Sequence, residues 1–132
     1  MSVDLFGSFT CTIENGRIKL PASFCKSLSI ESKQPFHITK ENTDCLFLYS
    51  QAQWEMRAGD LMKLEIREGG ERRLRSIADK HYTIDVDKNG RFTIPQDLRE
   101  VAELDKKVVV VGLFNHMEIW NVHKYERSLE SM

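Results

Sequence analysis

The chain repeats itself. Glu14-Asn-Gly-Arg-Ile-Lys-Leu-Pro21 matches Lys88-Asn-Gly-Arg-Phe-Thr-Ile-Pro95 in the pattern Asn-Gly-Arg-apolar-x-apolar-Pro, with Arg17 aligned on Arg91. Downstream of each proline the order is again the same. A short helical pattern (Phe24 and Leu28; Leu98, Val101 and Ala102) leads to an apolar strand (Phe36 to Ile38; Val108 to Val111). A second strand ending in an aromatic follows (Leu46 to Tyr49; Met117 to Trp120), and then a helix with an early aromatic (Trp54; Tyr125). Units of this size are mostly surface, and continuous apolar strands such as Val108 to Val111 need cover on both faces.

Each copy is also readable locally. Tyr82, Ile84 and Val86 alternate with Thr83 and Asp85, Asp87-Lys-Asn-Gly90 supplies a turn, and Phe92 and Ile94 resume the alternation, which is the pattern of a β-hairpin. Gly16 and Gly90 are the turn-forming residues, because Asn-Gly accommodates positive φ. Pro21 and Pro95 open the next helix, where a missing N–H costs nothing. Between the copies Ser50-Gln-Ala-Gln53 forms a capping box for a helix carrying Trp54, Ala58, Leu61 and Leu64 to about Ile66. Gly69-Gly70 breaks it, and a second helix from Glu71 to about Asp79 sets Leu74, Ile77 and Ala78 against Arg72, Arg73 and Arg75. Asn121 caps a last helix from Val122 to Leu129. The expected organisation is repeat 1 over 8–50, a helical connector over 51–80, repeat 2 over 81–124, and the end of the C-terminal helix over 125–132.

Charge limits what the surface can do. With 19 Lys+Arg against 20 Asp+Glu the net charge is -1, so the chain cannot coat nucleic acid or an anionic membrane through an overall basic surface, and any such binding is local. The longest apolar run, Val108 to Phe114, is far below the roughly 18 residues of a membrane span, and the N-terminus lacks a basic segment followed by an apolar one. Cys11, Cys25 and Cys45 form no Cys-x-x-Cys pair, which fits a reducing compartment, and a cytoplasmic location is expected. His37, His81, His116 and His123 are scattered, with no metal-binding or catalytic spacing beside them. No cofactor, metal, small-molecule substrate or catalytic residue is expected. Cys25 beside Lys26 reads either as an activated thiol or as a small core residue.

The turn arginines hold the clearest chemistry. Asp87 and Arg91 flank one turn, so a carboxylate at one strand end can fix a guanidinium at the other. With Lys88 and Asn89 beside it, that fork suits phosphate oxygens or the acceptor edge of guanine. The same pair reads equally as a structural cross-strand ion pair. Asn15, Arg17 and Lys19 recur at the equivalent place in the first copy. Arg72, Arg73 and Arg75 either extend a basic surface or form a solvated helix face or salt bridges between protomers. Trp54, Trp120 and Tyr125 are stacking platforms or core residues.

Together these segments resemble the MraZ family across essentially the whole chain. They are the two turn copies, Glu71-Arg-Arg-Leu74, Gly90-Arg-Phe-Thr-Ile-Pro-Gln-Asp-Leu-Arg-Glu100 and Val108-Val-Val-Val-Gly-Leu-Phe-Asn-His-Met-Glu-Ile-Trp120. The resemblance implies a β-rich α+β fold, in which two SpoVT-AbrB-type swapped-hairpin repeats, related by a pseudo-twofold, form one double-psi-like small barrel with peripheral helices. It implies a ring-shaped homo-oligomer, a nucleoid-associated transcriptional regulator, usually a repressor, and binding to short direct repeats in double-stranded DNA upstream of its own operon, the division and cell-wall gene cluster. The family signature Asp-x-x-x-Arg falls on Asp87 and Arg91. In the first copy Ile13 stands four places before Arg17 and Glu14 comes one place late, so that turn has lost a residue and Arg17 is expected to lack its carboxylate. Ser50 stands where the family often has Pro. If DNA binding is lost, the chain is a non-enzymatic oligomeric scaffold or interaction module. A ring of near-neutral chains implies DNA binding that is weak per chain, strongly salt-dependent and lost when the oligomer is broken.

Overall fold

The computed structural model describes residues 3–41 and 43–130. In chain order the first copy supplies β1 (Phe6–Thr12), β2 (Arg17–Lys19), α1 (Ala22–Ser27), β3 (Phe36–Thr39) and β4 (Leu46–Ser50). Two helices follow, α2 (Gln51–Met62) and α3 (Gly70–Asp79). The second copy supplies β5 (His81–Ile84), β6 (Arg91–Thr93), α4 (Gln96–Val101), β7 (Lys107–Leu113) and β8 (Met117–Asn121), and α5 (Val122–Glu130) closes the chain. Residues 131 and 132, within the expected end of the last helix, lie outside the described residues. The class is α+β, with a six-stranded antiparallel sheet in the order β1-β7-β8-β4-β3-β5 and a separate ribbon of β2 and β6.

That order places the two copies symmetrically about the β8–β4 junction, with their first strands exchanged. β1 of the first copy pairs with β7 of the second, and β5 of the second pairs with β3 of the first. The local hairpin read from Tyr82 to Ile94 is corrected accordingly: β5 and β6 flank one turn but enter different sheets, β6 pairing with β2 from Arg17↔Thr93 to Lys19↔Arg91. Alternation and a turn describe a bend in the chain, whereas the partner of each strand is set by which apolar faces must be covered. One core forms as a result. Ile18 and Phe92 beneath the ribbon join Phe24 and Leu98 of α1 and α4 and the inward residues Ile38, Leu48, Val108, Val110 and Ile119 of the large sheet.

The helices end and begin where the sequence marks them. Pro21 and Pro95 precede α1 and α4, and each of those helices runs into a left-handed residue at an equivalent place, Ser29 at φ 50° and Glu103 at φ 53°. The capping box of α2 is complete: Ser50 Oγ accepts the Gln53 amide at 3.2 Å, and the Ser50 amide donates to Gln53 Oε1 at 2.9 Å. Asn121 Oδ1 caps α5 by accepting the Lys124 amide at 3.0 Å. The other face of the sheet is covered by the chain's own helices. Trp120, which alternates with the inward Ile119, packs edge-on against Tyr125 of α5, and Tyr49 and His37 meet Trp54 of α2. Val109 and Val111, on that second face, are buried like their neighbours Val108 and Val110.

Candidate nucleic-acid interface

The two turns differ by one residue, and their hydrogen bonds show how. In the first, Glu14 and Arg17 exchange both backbone bonds at 2.9 Å, with Asn15 at φ 53° and Gly16 at φ 77° between them. That is a two-residue hairpin turn with both central residues left-handed. In the second, the Asp87 amide donates to Arg91 O at 3.0 Å and the Gly90 amide to Asp87 O at 2.9 Å, leaving a three-residue loop that ends on Gly90 at φ 84°. Asp87 Oδ1 braces this longer loop by accepting the Asn89 amide at 2.8 Å and the Arg91 amide at 2.9 Å. The shorter turn does without such a brace.

Each turn is locked to the other copy. The Leu20 amide donates to Gly90 O and the Ile94 amide to Gly16 O, both at 2.9 Å. Beneath Gly90 lies Cys25, so close that a Cβ there would fall 2.5 Å from its Sγ; beneath Gly16 lies the Arg99 guanidinium, at 3.2 Å from the same point. Cys25 and Arg99 occupy equivalent positions on α1 and α4, and they touch equivalent carbonyls. Cys25 Sγ reaches Leu20 O at 3.7 Å and Arg99 Nε donates to Ile94 O at 3.1 Å. Burial pushes the Cys25 thiol up, against the opposing charge of Lys19, so its place is that of a packing residue under a turn. Arg99 is a positioning residue that the sequence reading missed. Its only signal was its match to Cys25 in the repeat.

The ribbon turns its cations outward. Ile18 and Phe92 are buried in the core, which by strand alternation leaves Arg17, Lys19, Arg91 and Thr93 on the exposed face, with Lys19 directly opposite Arg91. The carboxylate expected to hold the Arg91 guanidinium does something else. Asp87 fixes Arg91 through its backbone amide, and its second oxygen, Oδ2, stands 3.5 Å from Arg17 Nη2 of the other turn. Arg17 therefore has an orienting carboxylate after all, borrowed from the second copy. The amide of Arg91, then that of Asn89, and the charges of Arg17 and Arg91 hold the Asp87 carboxyl below its usual range. Among the described residues the Arg91 guanidinium makes no hydrogen bond or ion pair and acts on Asp87 through its charge alone, and Lys88 and Asn89 are exposed beside it at the loop tip. The two turns thus bring Asn15, Arg17, Lys19, Asp87, Lys88, Asn89 and Arg91 to one ribbon.

The remaining candidates lie elsewhere. Arg72, Arg73 and Arg75 are exposed on α3, where Arg75 pairs with Glu71 at 3.8 Å. Trp54 is stacked on His37 and His81 in the packing of α2 against the sheet. His37 Nδ1 lies 3.0 Å from His81 Nε2, but among the described residues no group of three or more His, Cys, Asp or Glu is placed to hold a metal ion. Buried Glu41, which no sequence pattern marks, accepts hydrogen bonds from Thr39 at 2.9 Å and Tyr49 at 2.8 Å and pairs with Arg57. Burial, and after it the adjacent Glu41 carboxylate, drive the Tyr49 hydroxyl well above its usual range, so it stays a donor.

Fold and site define an internally duplicated α+β protein whose exchanged repeats present a basic two-stranded ribbon. Comparison with known proteins places it further. The family model described as "MraZ protein, putative antitoxin-like" matches residues 77–132. The Transcriptional regulator MraZ of Legionella pneumophila (strain Corby) is 36% identical over 87% of this chain and 77% of its own length. The proteins of that name from Caldicellulosiruptor saccharolyticus and Ligilactobacillus salivarius are each 35% identical, over 95% and 91% of this chain and 86% and 82% of their own lengths. The chain belongs to the MraZ family. Among solved structures, the solution structure of PHS018 from Pyrococcus horikoshii aligns over 90% of this chain and 97% of that one at 18% identity, with a TM-score of 0.40, a likeness too distant to bear on fold or function.

Proposed function

We propose that the protein is a sequence-specific DNA-binding transcriptional regulator, acting as a repressor on short direct repeats in double-stranded DNA upstream of its own operon. The observation that carries this reading is the convergence of Arg17, Lys19 and Arg91 on the exposed face of one ribbon, at the ends of two rigid turns. Arg91, unpaired and held by its backbone to Asp87, makes the principal contact, with Lys88 and Asn89 beside it. Arg17, Lys19 and Asn15 assist from the shorter turn, one unit from each of the repeats 8–50 and 81–124. A planar guanidinium on a backbone held in place suits both a phosphate and the O6/N7 edge of guanine.

Four cations per chain, Arg17, Lys19, Lys88 and Arg91, are too few for tight binding by a near-neutral protein. A homo-oligomeric ring supplies the remainder: once one ribbon is seated on a repeat, binding of the next becomes intramolecular and avidity rises without any single strong site. The protein works in the cytoplasm on the nucleoid, without catalysis, cofactor, metal or small-molecule substrate. Among the described residues no helix is long and apolar enough to cross a membrane.

The test is Arg91→Ala, measured by fluorescence anisotropy on a duplex from the upstream region across a salt series. Loss of the Arg91 charge from the interface should weaken binding and flatten the dependence of log K on log salt. Unchanged affinity and slope would leave the oligomeric scaffold reading in its place.

A further inference from the structure

The basic face of the ribbon borders a cleft. Its other wall is β1, and Thr10, Thr12, Asn15, Arg17, Lys19 and Arg91 line it together with Cys11 and Glu14. Consecutive residues of a strand point to opposite faces, so Thr10, Cys11 and Thr12 can border one cleft only along the edge of the strand. β1 is the outer strand of the six, paired with β7 on one side alone, and that leaves the backbone N–H groups of its other edge without a ladder partner. The hydroxyls of Thr10 and Thr12 are exposed and make no hydrogen bond among the described residues. One wall therefore offers neutral donors and the other offers three cations, set against Glu14 in the cleft and the Asp87 carboxylate that pairs with Arg17.

Such a surface matches a sugar–phosphate backbone better than base edges. Hydroxyls and backbone amides are the usual partners of phosphate oxygens, which fix register without reading sequence. Resting on the DNA-binding reading of the ribbon, we propose that this cleft is a track for the backbone of one DNA strand. Thr10 and Thr12 donate to phosphate oxygens whose charge Arg17 and Lys19 neutralise, while base reading falls to the Arg91 loop with Lys88 and Asn89. The two turns, equivalent in origin, then divide the work. The braced three-residue loop reads, and the shorter one grips.

The test is the Thr10→Val/Thr12→Val double variant, which keeps side-chain shape and strand propensity and removes only the hydroxyls. Affinity for the upstream duplex and for a scrambled duplex of equal length should fall by one common factor, roughly tenfold for two lost hydrogen bonds. The salt slope should stay as it was, because no charge is removed. Unchanged affinity for both duplexes overturns the track, and so does a loss confined to the upstream duplex. A scan of the duplex with neutral methylphosphonates, using the unaltered protein, covers the case in which the double variant misfolds. Sensitivity at a phosphate position shared by both duplexes supports the track, and insensitivity at every such position refutes it. Arg91→Ala run alongside separates the two levels. If that variant too binds as before, the DNA reading itself has failed rather than the assignment of the threonines.

Discussion

Gly90→Ala is the substitution whose cost the geometry states most directly. Gly90 sits at φ 84°, a region that costs an L-residue about 1–2 kcal/mol. The added methyl would also lie 2.5 Å from Cys25 Sγ, with Leu20 Cβ and its carbonyl at 3.6 Å behind it, so the side chain has no room to retreat. Overpacking of that kind adds about 1–3 kcal/mol. A destabilisation of about 2–5 kcal/mol follows, read as a lower urea midpoint at unchanged m-value and fixed protein concentration. The two contributions separate in a double-mutant cycle. In a Cys25→Ala background the sulfur is gone, and Gly90→Ala should cost only the conformational part, about 1–2 kcal/mol. Gly16→Ala gives a natural comparison, because the group it meets at 3.2 Å is the far end of the Arg99 side chain, which can move. A Gly90→Ala cost below about 0.5 kcal/mol, or one that Cys25→Ala fails to relieve, would refute the packing of α1 beneath the loop.

Two further predictions concern charge. Asp87 has its pKa lowered in the folded state, so its contribution to stability is present above its unfolded value and is lost as pH falls through the lowered one. Asp87→Asn keeps an oxygen for the two amides but removes the titration, so melting temperatures followed from about pH 7 to 2 should drop less steeply for the variant at the acid end; parallel profiles would contradict this. Arg57→Met leaves the Glu41 carboxylate buried without its cation and should cost about 3 kcal/mol in urea unfolding, with part of the loss recovered when Glu41→Gln is added. A cost below about 1 kcal/mol would mean that the pair is solvated.

Much of this molecule is written in short-range pattern. The repeat, the glycines of both turns, the capping box at Ser50 and Gln53 and the cap at Asn121 depend on neighbours within a few residues, and the sequence marks each of them. Strand partnership does not depend on neighbours. Tyr82 to Ile84 looks like one arm of a hairpin because alternation and a turn are local, yet its ladder runs to β3, and the turn serves to pass the chain between sheets. The ion pair escapes the local pattern for the same reason. Asp87 stands four places from Arg91, a spacing that pairs them across one turn, but the guanidinium it meets belongs to Arg17 across the pseudo-twofold. Arg99 under Gly16 and Glu41 under Tyr49 leave no trace in spacing, because burial of a single charge by distant segments has no period. What did carry over is the repeat itself: once Cys25 is found beneath Gly90, the place of Arg99 beneath Gly16 follows.

The central claim is that the ribbon recognises particular DNA, and competition binding tests it most directly. The protein is bound to a labelled duplex from its upstream region and displaced by unlabelled upstream or scrambled duplex at one fixed salt concentration. The account predicts that scrambled competitor is far less effective than upstream competitor, and that Arg91→Ala brings the two together while the melting temperature stays the same. Equal displacement by both duplexes with the unaltered protein, or discrimination that survives Arg91→Ala, would contradict it.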